Sequence, residues 1–211
     1  MTEISRKVAG YLLESKAVIL EPRNPFTWAS GWKSPIYCDN RITLSHPGIR
    51  DFIKEAFRIT ILDHYETPDL IAGVATGAIA QGSLVADIMK LPFVYVRPSA
   101  KEHGRQNLIE GHLEAGQKVV VVEDLISTGG SSLKAVEALR NAGANVLGMV
   151  AIFTYGFEVA TENFRAAGVE LHTLTNYHIL VEAALASGYI HNEEVELLQS
   201  WREDPAGWEL K

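Results

Sequence analysis

Glu123 and Asp124 close the run Val119-Val120-Val121-Val122, and after Leu125-Ile126 comes the turn Ser127-Thr128-Gly129-Gly130-Ser131-Ser132. Adjacent carboxylates are acceptors for sugar hydroxyls, and one of them can also touch a metal-bound water. The turn offers unhindered backbone N–H groups and hydroxyls at a helix N-terminus, which together form a phosphate cradle. Acids beside a cradle suit a ligand with a phosphate at one end and a hydroxylated or metal-bound part at the other. A solvated strand end or a simple helix start uses the same residue types. The acids and the turn together, directly after four β-branched residues, favour a site. The chain carries neither G-x-x-x-x-G-K-[ST] nor G-x-G-x-x-G, so P-loop hydrolysis and Rossmann dinucleotide binding lose their main support.

A second set of candidates is cationic. Lys101 and His103 lie in residues 98–115, a polar, charged and glycine-punctuated stretch with few apolar anchors. Such a length predicts a functional lid or a hairpin. Cations on a segment of this kind suit a departing anionic group, because they arrive on closure and exclude water. Arg97 stands at its root. Val74-Ala75-Thr76-Gly77 marks another strand-to-helix turn, where small residues let backbone N–H groups approach phosphate. Close strand–helix packing explains Gly77 nearly as well.

These residues need elements to hold them. Ile4, Val8, Tyr11 and Leu12 predict an amphipathic helix over 3–15. Residues 25–44, rich in Gly, Pro, aromatics and Asn, read as short strands or loops. Ser45 before His46-Pro47 predicts an N-cap, with a helix to about Leu62. Strands are expected over 70–75, 92–97, 146–153 and 169–174, and the valine run is a strand buried on both faces that ends at the two acids. Helices are expected over 78–89, from about Gly129 to Gly143, and over 158–167, with two more at the end. Adjacent strand residues point to opposite faces, so Glu123 and Asp124 both face one ligand only if the strand is ending there. Strands alternating with helices give an α/β fold: a twisted, mostly parallel sheet flanked by helices. Ligand sites in such sheets lie at the carboxyl ends of the strands.

Composition narrows the class. With 211 residues, 47% hydrophobic and 21% charged, the chain is an ordinary globular protein, expected as one domain. A net charge of −7 argues against nucleic-acid binding. Cys38 is the sole cysteine, which excludes an internal disulfide or a cysteine-based zinc site and fits a reducing compartment. Charges break the N-terminal apolar pattern and no apolar run is long enough to span a bilayer, so neither a signal peptide nor a membrane partner is expected. A cytoplasmic location follows as an expectation. His46, His64, His112, His172, His178 and His191 show no metal-ligand spacing.

The segment from Val119 to Ser131 resembles the ribose-donor signature of the type I phosphoribosyltransferases: hydrophobic strand, two acids, 5′-phosphate loop. Phe26-Thr27-Trp28-Ala29-Ser30-Gly31-Trp32-Lys33-Ser34-Pro35-Ile36-Tyr37 resembles the N-terminal region of the orotate-using members, and Lys101-Glu102-His103-Gly104 their catalytic loop. The resemblance spans nearly the whole chain. It implies transfer of ribose 5-phosphate from 5-phosphoribosyl 1-pyrophosphate to orotate, with residues 1–44 contributing to a hood over the base. Lys101, His103 and Asp124 would be catalytic. Arg97, Lys101, His103, Glu123, Asp124, Leu125, Ile126, Ser127, Thr128, Gly129, Gly130 and Ser131 would bind substrate. Mg²⁺ would be held mainly through substrate and water, with no dedicated protein ligands. Arg97 would serve the neighbouring site of a homodimer. Where some members carry basic residues, this chain has Ala29, Pro98 and Phe153-Thr154-Tyr155-Gly156. The orotate carboxylate is then left to backbone N–H groups, Arg41 or Lys33. A transferase for another base and a non-catalytic sensor of the same donor are the alternatives. The sensor should carry a DNA-binding helix and could dispense with Lys101 and His103.

Overall fold

The computed structural model describes residues 3–27, 31, 33–99 and 108–208. The chain opens with α1 (Glu3–Glu14) and four short strands, β1 (Val18–Leu20), β2 (Phe26–Thr27), β3 (Lys33–Ser34) and β4 (Ile36–Cys38). A 3₁₀ helix, Asn40–Ser45, leads into α2 (Pro47–His64). Then follow β5 (Leu70–Val74), α3 (Ile79–Met89), β6 (Phe93–Val96), β7 (Ile109–Glu110), β8 (Lys118–Ile126) and α4 (Gly130–Asn141). The chain continues through β9 (Asn145–Thr154), α5 (Glu158–Ala166), β10 (Leu171–Asn176), α6 (Tyr177–Ala186) and α7 (Asn192–Glu203).

Six strands form the main sheet in the order β10-β9-β8-β5-β6-β7. All neighbours are parallel except β6 and β7, which pair as a hairpin. The valine run explains why β8 is central. Val120 and Val122 enter one core, beneath α1, α2, α3 and α6, while Val119 and Val121 enter the other, beneath α4 and α5. All four are fully buried, as a strand covered on both faces requires. A fully buried valine contributes about 1.5–3 kcal/mol relative to exposure, so this run anchors the residues that follow it.

Helix register follows the same logic. Ile49, Ile53, Ala56, Phe57 and Ile61 recur on one buried face of α2. Asn176 caps α6, its Oδ1 accepting from the Ile179 N–H at 3.1 Å. Glu194 accepts from the His191 N–H at 2.9 Å and fixes the start of α7.

Three sequence expectations shift. Ser45 closes the 3₁₀ helix, so His46 occupies the N-cap of α2, without a side-chain cap bond, and Pro47 opens the helix. The last strand starts at Leu171, because Val169 still packs under α5. The strand carrying the acids runs on to Ile126, since β9 keeps pairing with it through Ile126↔Thr154.

The N-terminal segment is fastened to the C-terminal one. Trp201 Nε1 donates to the Lys33 carbonyl at 3.1 Å. Arg23 pairs with Glu193 at 3.1 Å and Glu194 at 3.2 Å. No described helix is long and apolar enough to cross a membrane.

Candidate active site

β5 ends beside β8 at the carboxyl edge of the sheet, and β8 runs on past it to Ile126. Over that edge lies a cleft of about 440 Å³, bordered by Cys38, Asp39 and Arg41, residues 74–77, Glu123, Asp124 and Leu125, and the turn after β8. β8 does not end at the acids, so their side chains leave opposite faces of the strand, yet the two carboxyls stay within hydrogen-bonding reach of each other. Glu123 turns toward α4. Its Oε2 accepts from Ser132 Oγ at 2.8 Å and its Oε1 from the Asp124 N–H at 3.0 Å. Asp124 lies against the β5–α3 turn, where a Cβ on Gly77 would overlap its carboxylate. Gly77 is therefore required for clearance. Both acids still border the cleft, because it straddles the strand end.

Burial separates their electrostatics. Glu123 is only 5% exposed. Desolvation, and after it the Asp124 charge, push its carboxyl well above the usual carboxylate range. Asp124 is half-buried and opens on the cleft.

The turn is shaped by glycine rather than by a hydroxyl cap. Gly129, at φ 82°, is the N-cap of α4, and no side chain caps the helix. A side chain at Gly129 would meet Phe164 at 2.6 Å. The Leu133 N–H is taken by the Gly129 carbonyl at 2.9 Å, so the first N–H groups of α4 point outward, as at any helix start. With the helix dipole they favour an anion. Asn163 Nδ2 steadies the turn from α5 by donating to the Thr128 carbonyl at 3.0 Å.

On the opposite bank, Arg41 pairs with Asp39 through two contacts, Nε–Oδ1 at 2.7 Å and Nη2–Oδ2 at 2.8 Å. The guanidinium holds the Asp39 carboxyl below its ordinary range. Lys33 is exposed, donates to Thr27 Oγ1 at 2.8 Å and does not border the cleft. Burial, then the charges of Asp124 and Asp39, push the Cys38 thiol far up, so it stays protonated.

The structure thus brings Glu123, Asp124, Leu125, Ser127, Thr128, Gly129 and Ser131 to one cleft. Ile126 is fully buried in the core under α4, leaving only its main chain near the site. Gly130 and Arg97 border an adjoining hollow between β6 and α4, shared with Ser131. Arg97 Nη1 lies 3.6 Å from Glu110 Oε1, and the Arg97 N–H donates to the Leu108 carbonyl at 2.8 Å. That bond ties together the ends of the segment carrying Lys101 and His103, two residues that lie outside the described ones. The root of the segment is beside the cleft, since the Ala75 N–H donates to the Val96 carbonyl at 2.9 Å.

Comparison with known proteins agrees with this geometry. The family model for the phosphoribosyl transferase domain matches residues 43–177. The chain is 60% identical over 209 residues to an orotate phosphoribosyltransferase of Bacteroides thetaiotaomicron, covering 99% of each chain. The chain belongs to the orotate phosphoribosyltransferases. Solved members share the fold. An orotate phosphoribosyltransferase from Aeropyrum pernix superposes with TM-score 0.76 at 28% identity, over 87% of this chain and 99% of that one. One from Mycobacterium tuberculosis, in complex with 5-phospho-α-D-ribosyl 1-diphosphate, gives 0.64 at 25% identity, over 83% and 98%. As an orotate phosphoribosyltransferase, the chain transfers ribose 5-phosphate from 5-phosphoribosyl 1-pyrophosphate to orotate, forming orotidine 5′-monophosphate and pyrophosphate on the route to UMP. The full-length match prevails over a transferase for another base or a regulator.

Proposed function

We propose a division of labour in which residues 123–131 hold the ribose donor and residues 38–41 face the base. The 5′-phosphate sits on the N–H groups and hydroxyls of Ser127, Thr128, Gly129, Gly130 and Ser131. Asp124 accepts from the ribose hydroxyls, and Glu123, already half-satisfied by Ser132, accepts with its remaining lone pairs. Leu125 and Ile126 serve through their main chain. The observation that carries this reading is convergence: cradle, half-buried Asp124 carboxylate and Arg41 all border one cleft at the carboxyl edge of the sheet. Arg41 is the better partner for the orotate carboxylate than Lys33. It is pre-oriented by Asp39 and borders the cleft. Residues 1–44 contribute to the hood on the base side.

Mg²⁺ fits as a substrate-borne ion. The cleft offers the hard carboxylate of Asp124. Among the described residues, no cluster of three or more His, Cys, Asp or Glu could hold a metal. Mg²⁺ prefers few carboxylates and several waters. When bound, it neutralises charge on the pyrophosphate oxygens.

Orotate N1 forms the bond to C1′ and releases its proton to solvent as the C1′–pyrophosphate bond breaks, and that bond's electron pair moves onto the leaving oxygens. Lys101 and His103 stabilise that charge. Arg97 reaches the neighbouring site of a homodimer, and the enzyme works in the cytoplasm. Loss of orotate absorbance in the presence of donor and Mg²⁺ tests the loop: Lys101→Ala should lower kcat about 100-fold or more, the scale of losing one charge-stabilising donor. A kcat within a few-fold of wild type would remove Lys101 from the mechanism. Mixing Arg97→Ala with Asp124→Asn chains should restore activity, and confirmed mixed dimers without recovery would argue against a shared site.

A further inference from the structure

Asn40, Thr43 and Gln81 are buried polar side chains, 1%, 0% and 1% exposed, that none of the roles above uses. They form one relay. Gln81 Nε2 donates to Thr43 Oγ1 at 3.2 Å. Thr43 Oγ1 donates to the Asn40 carbonyl at 2.6 Å. Asn40 Nδ2 donates to the Asp124 carbonyl at 2.6 Å. The Cys38 thiol donates to Asn40 Oδ1 at 3.4 Å, so the amide has one orientation that satisfies both of its ends.

The relay has a reason in the sheet. β5 and β8 pair only as far as Gly73↔Val122, after which β5 turns away toward Gly77. The Asp124 carbonyl lies two residues beyond that last pair. Asn40 supplies to it an N–H from outside the sheet. A buried carbonyl needs such a donor, and a side chain delivered from a separate segment also fixes where the strand end stands.

We propose that Asn40 is a positioning residue for phosphoribosyl transfer, acting through the Asp124 main chain, with Thr43 and Gln81 holding Asn40. The proposal rests on the reading of Asp124 as the ribose acceptor. Asn40 adjoins Arg41, so one amide registers the base-side segment against the ribose-side acid and sets how orotate meets C1′. Small misplacements of reacting groups cost large factors in rate. The relay also reaches α3, which follows the Ala75–Gly77 turn. The phosphoribosyl transferase domain match begins at residue 43, so Asn40 comes from outside it.

The test is steady-state kinetics with both substrates, with Tm followed alongside. Asn40→Ala should lower kcat about tenfold and raise the KM for the ribose donor. Thr43→Val should do the same more weakly, while Thr43→Ser, which keeps the hydroxyl, should stay within about twofold of wild type. Because Asn40 acts through Asp124, Asn40→Ala combined with Asp124→Asn should be little worse than Asp124→Asn alone. Multiplying effects in the double variant, or wild-type constants in Asn40→Ala, would overturn the proposal. If Asn40→Ala does not fold, equal kinetics for Thr43→Val and Thr43→Ser overturn it instead. Wild-type constants in Asp124→Asn would sink the ribose assignment itself. An impaired Asp124→Asn with an unaffected Asn40→Ala sinks only the positioning role.

Discussion

On the donor side of the cleft, the candidate groups come from one continuous run. Residues 123–131 pass from β8 through a glycine-shaped turn into α4, and four buried valines fix the strand beneath them. On the base side, Cys38 closes a three-residue strand, β4, which pairs with β1, and Asp39 and Arg41 follow it. Their position depends on distant partners. Asn40 is hydrogen-bonded to a residue 84 positions away, and the Lys33 carbonyl to Trp201, 168 positions away. The donor side is built by local chain geometry on a rigid sheet, and the base side by long-range clips. The difference teaches where substitutions should act. Loss of a donor-side group should register on the ribose donor and loss of Arg41 on orotate, while Asn40, which clips the base side to the Asp124 main chain, should register on the ribose donor.

The largest expected effect separates the sides. Asp124→Asn removes the half-buried acceptor that opens on the cleft and should lower kcat/KM for the ribose donor about 100-fold, or about 2.7 kcal/mol, with a much smaller change in the KM for orotate. Equal losses for the two substrates would break the comparison. Arg41→Gln is the mirror experiment. Its loss should raise the KM for orotate about tenfold and leave that for the donor within about twofold. A donor-specific defect would reverse the assignment.

The smallest effect sharpens the contrast between the two acids. Burial raises the Glu123 carboxyl above its unfolded value. A raised group stabilises the fold below the unfolded pKa, and that contribution is lost as pH rises through the folded value. Ionised Glu123 is thus a cost at alkaline pH. Glutamine can take both of its contacts, accepting from the Asp124 N–H and donating to Ser132. Glu123→Gln should therefore raise Tm by a few degrees near pH 8. The gain should shrink as pH falls toward the ordinary carboxylate value of 4.5. Thermal scans across pH check this, and a gain that grows on acidification would contradict the burial argument.

The same contrast explains what could be read from residues alone. The donor side was legible because its chemistry is contiguous: valines, acids, hydroxyls and glycines in order. The parallel sheet was legible from strands alternating with helices. The onward course of β8 past the acids was not, because pairing with β9 decides it. Ser45 looked like a cap because local pattern cannot show that a 3₁₀ turn already uses the residue. The Asn40 relay joins residues on three separate segments, and a buried Gln81 on α3 carries no local mark of its partner. In the sequence Arg41 is one choice among several, because its pairing with Asp39 and its place on the cleft, which support the proposed role, depend on the fold.

The central claim is that the run after the valines holds the ribose donor through Asp124. Calorimetric titration of 5-phosphoribosyl 1-pyrophosphate with Mg²⁺ into the wild-type protein and Asp124→Asn, without orotate, tests it most directly. The account predicts one saturating site per chain in the wild type and at least about tenfold weaker binding in the variant, or about 1.4 kcal/mol. Equal affinity in the two proteins would contradict it.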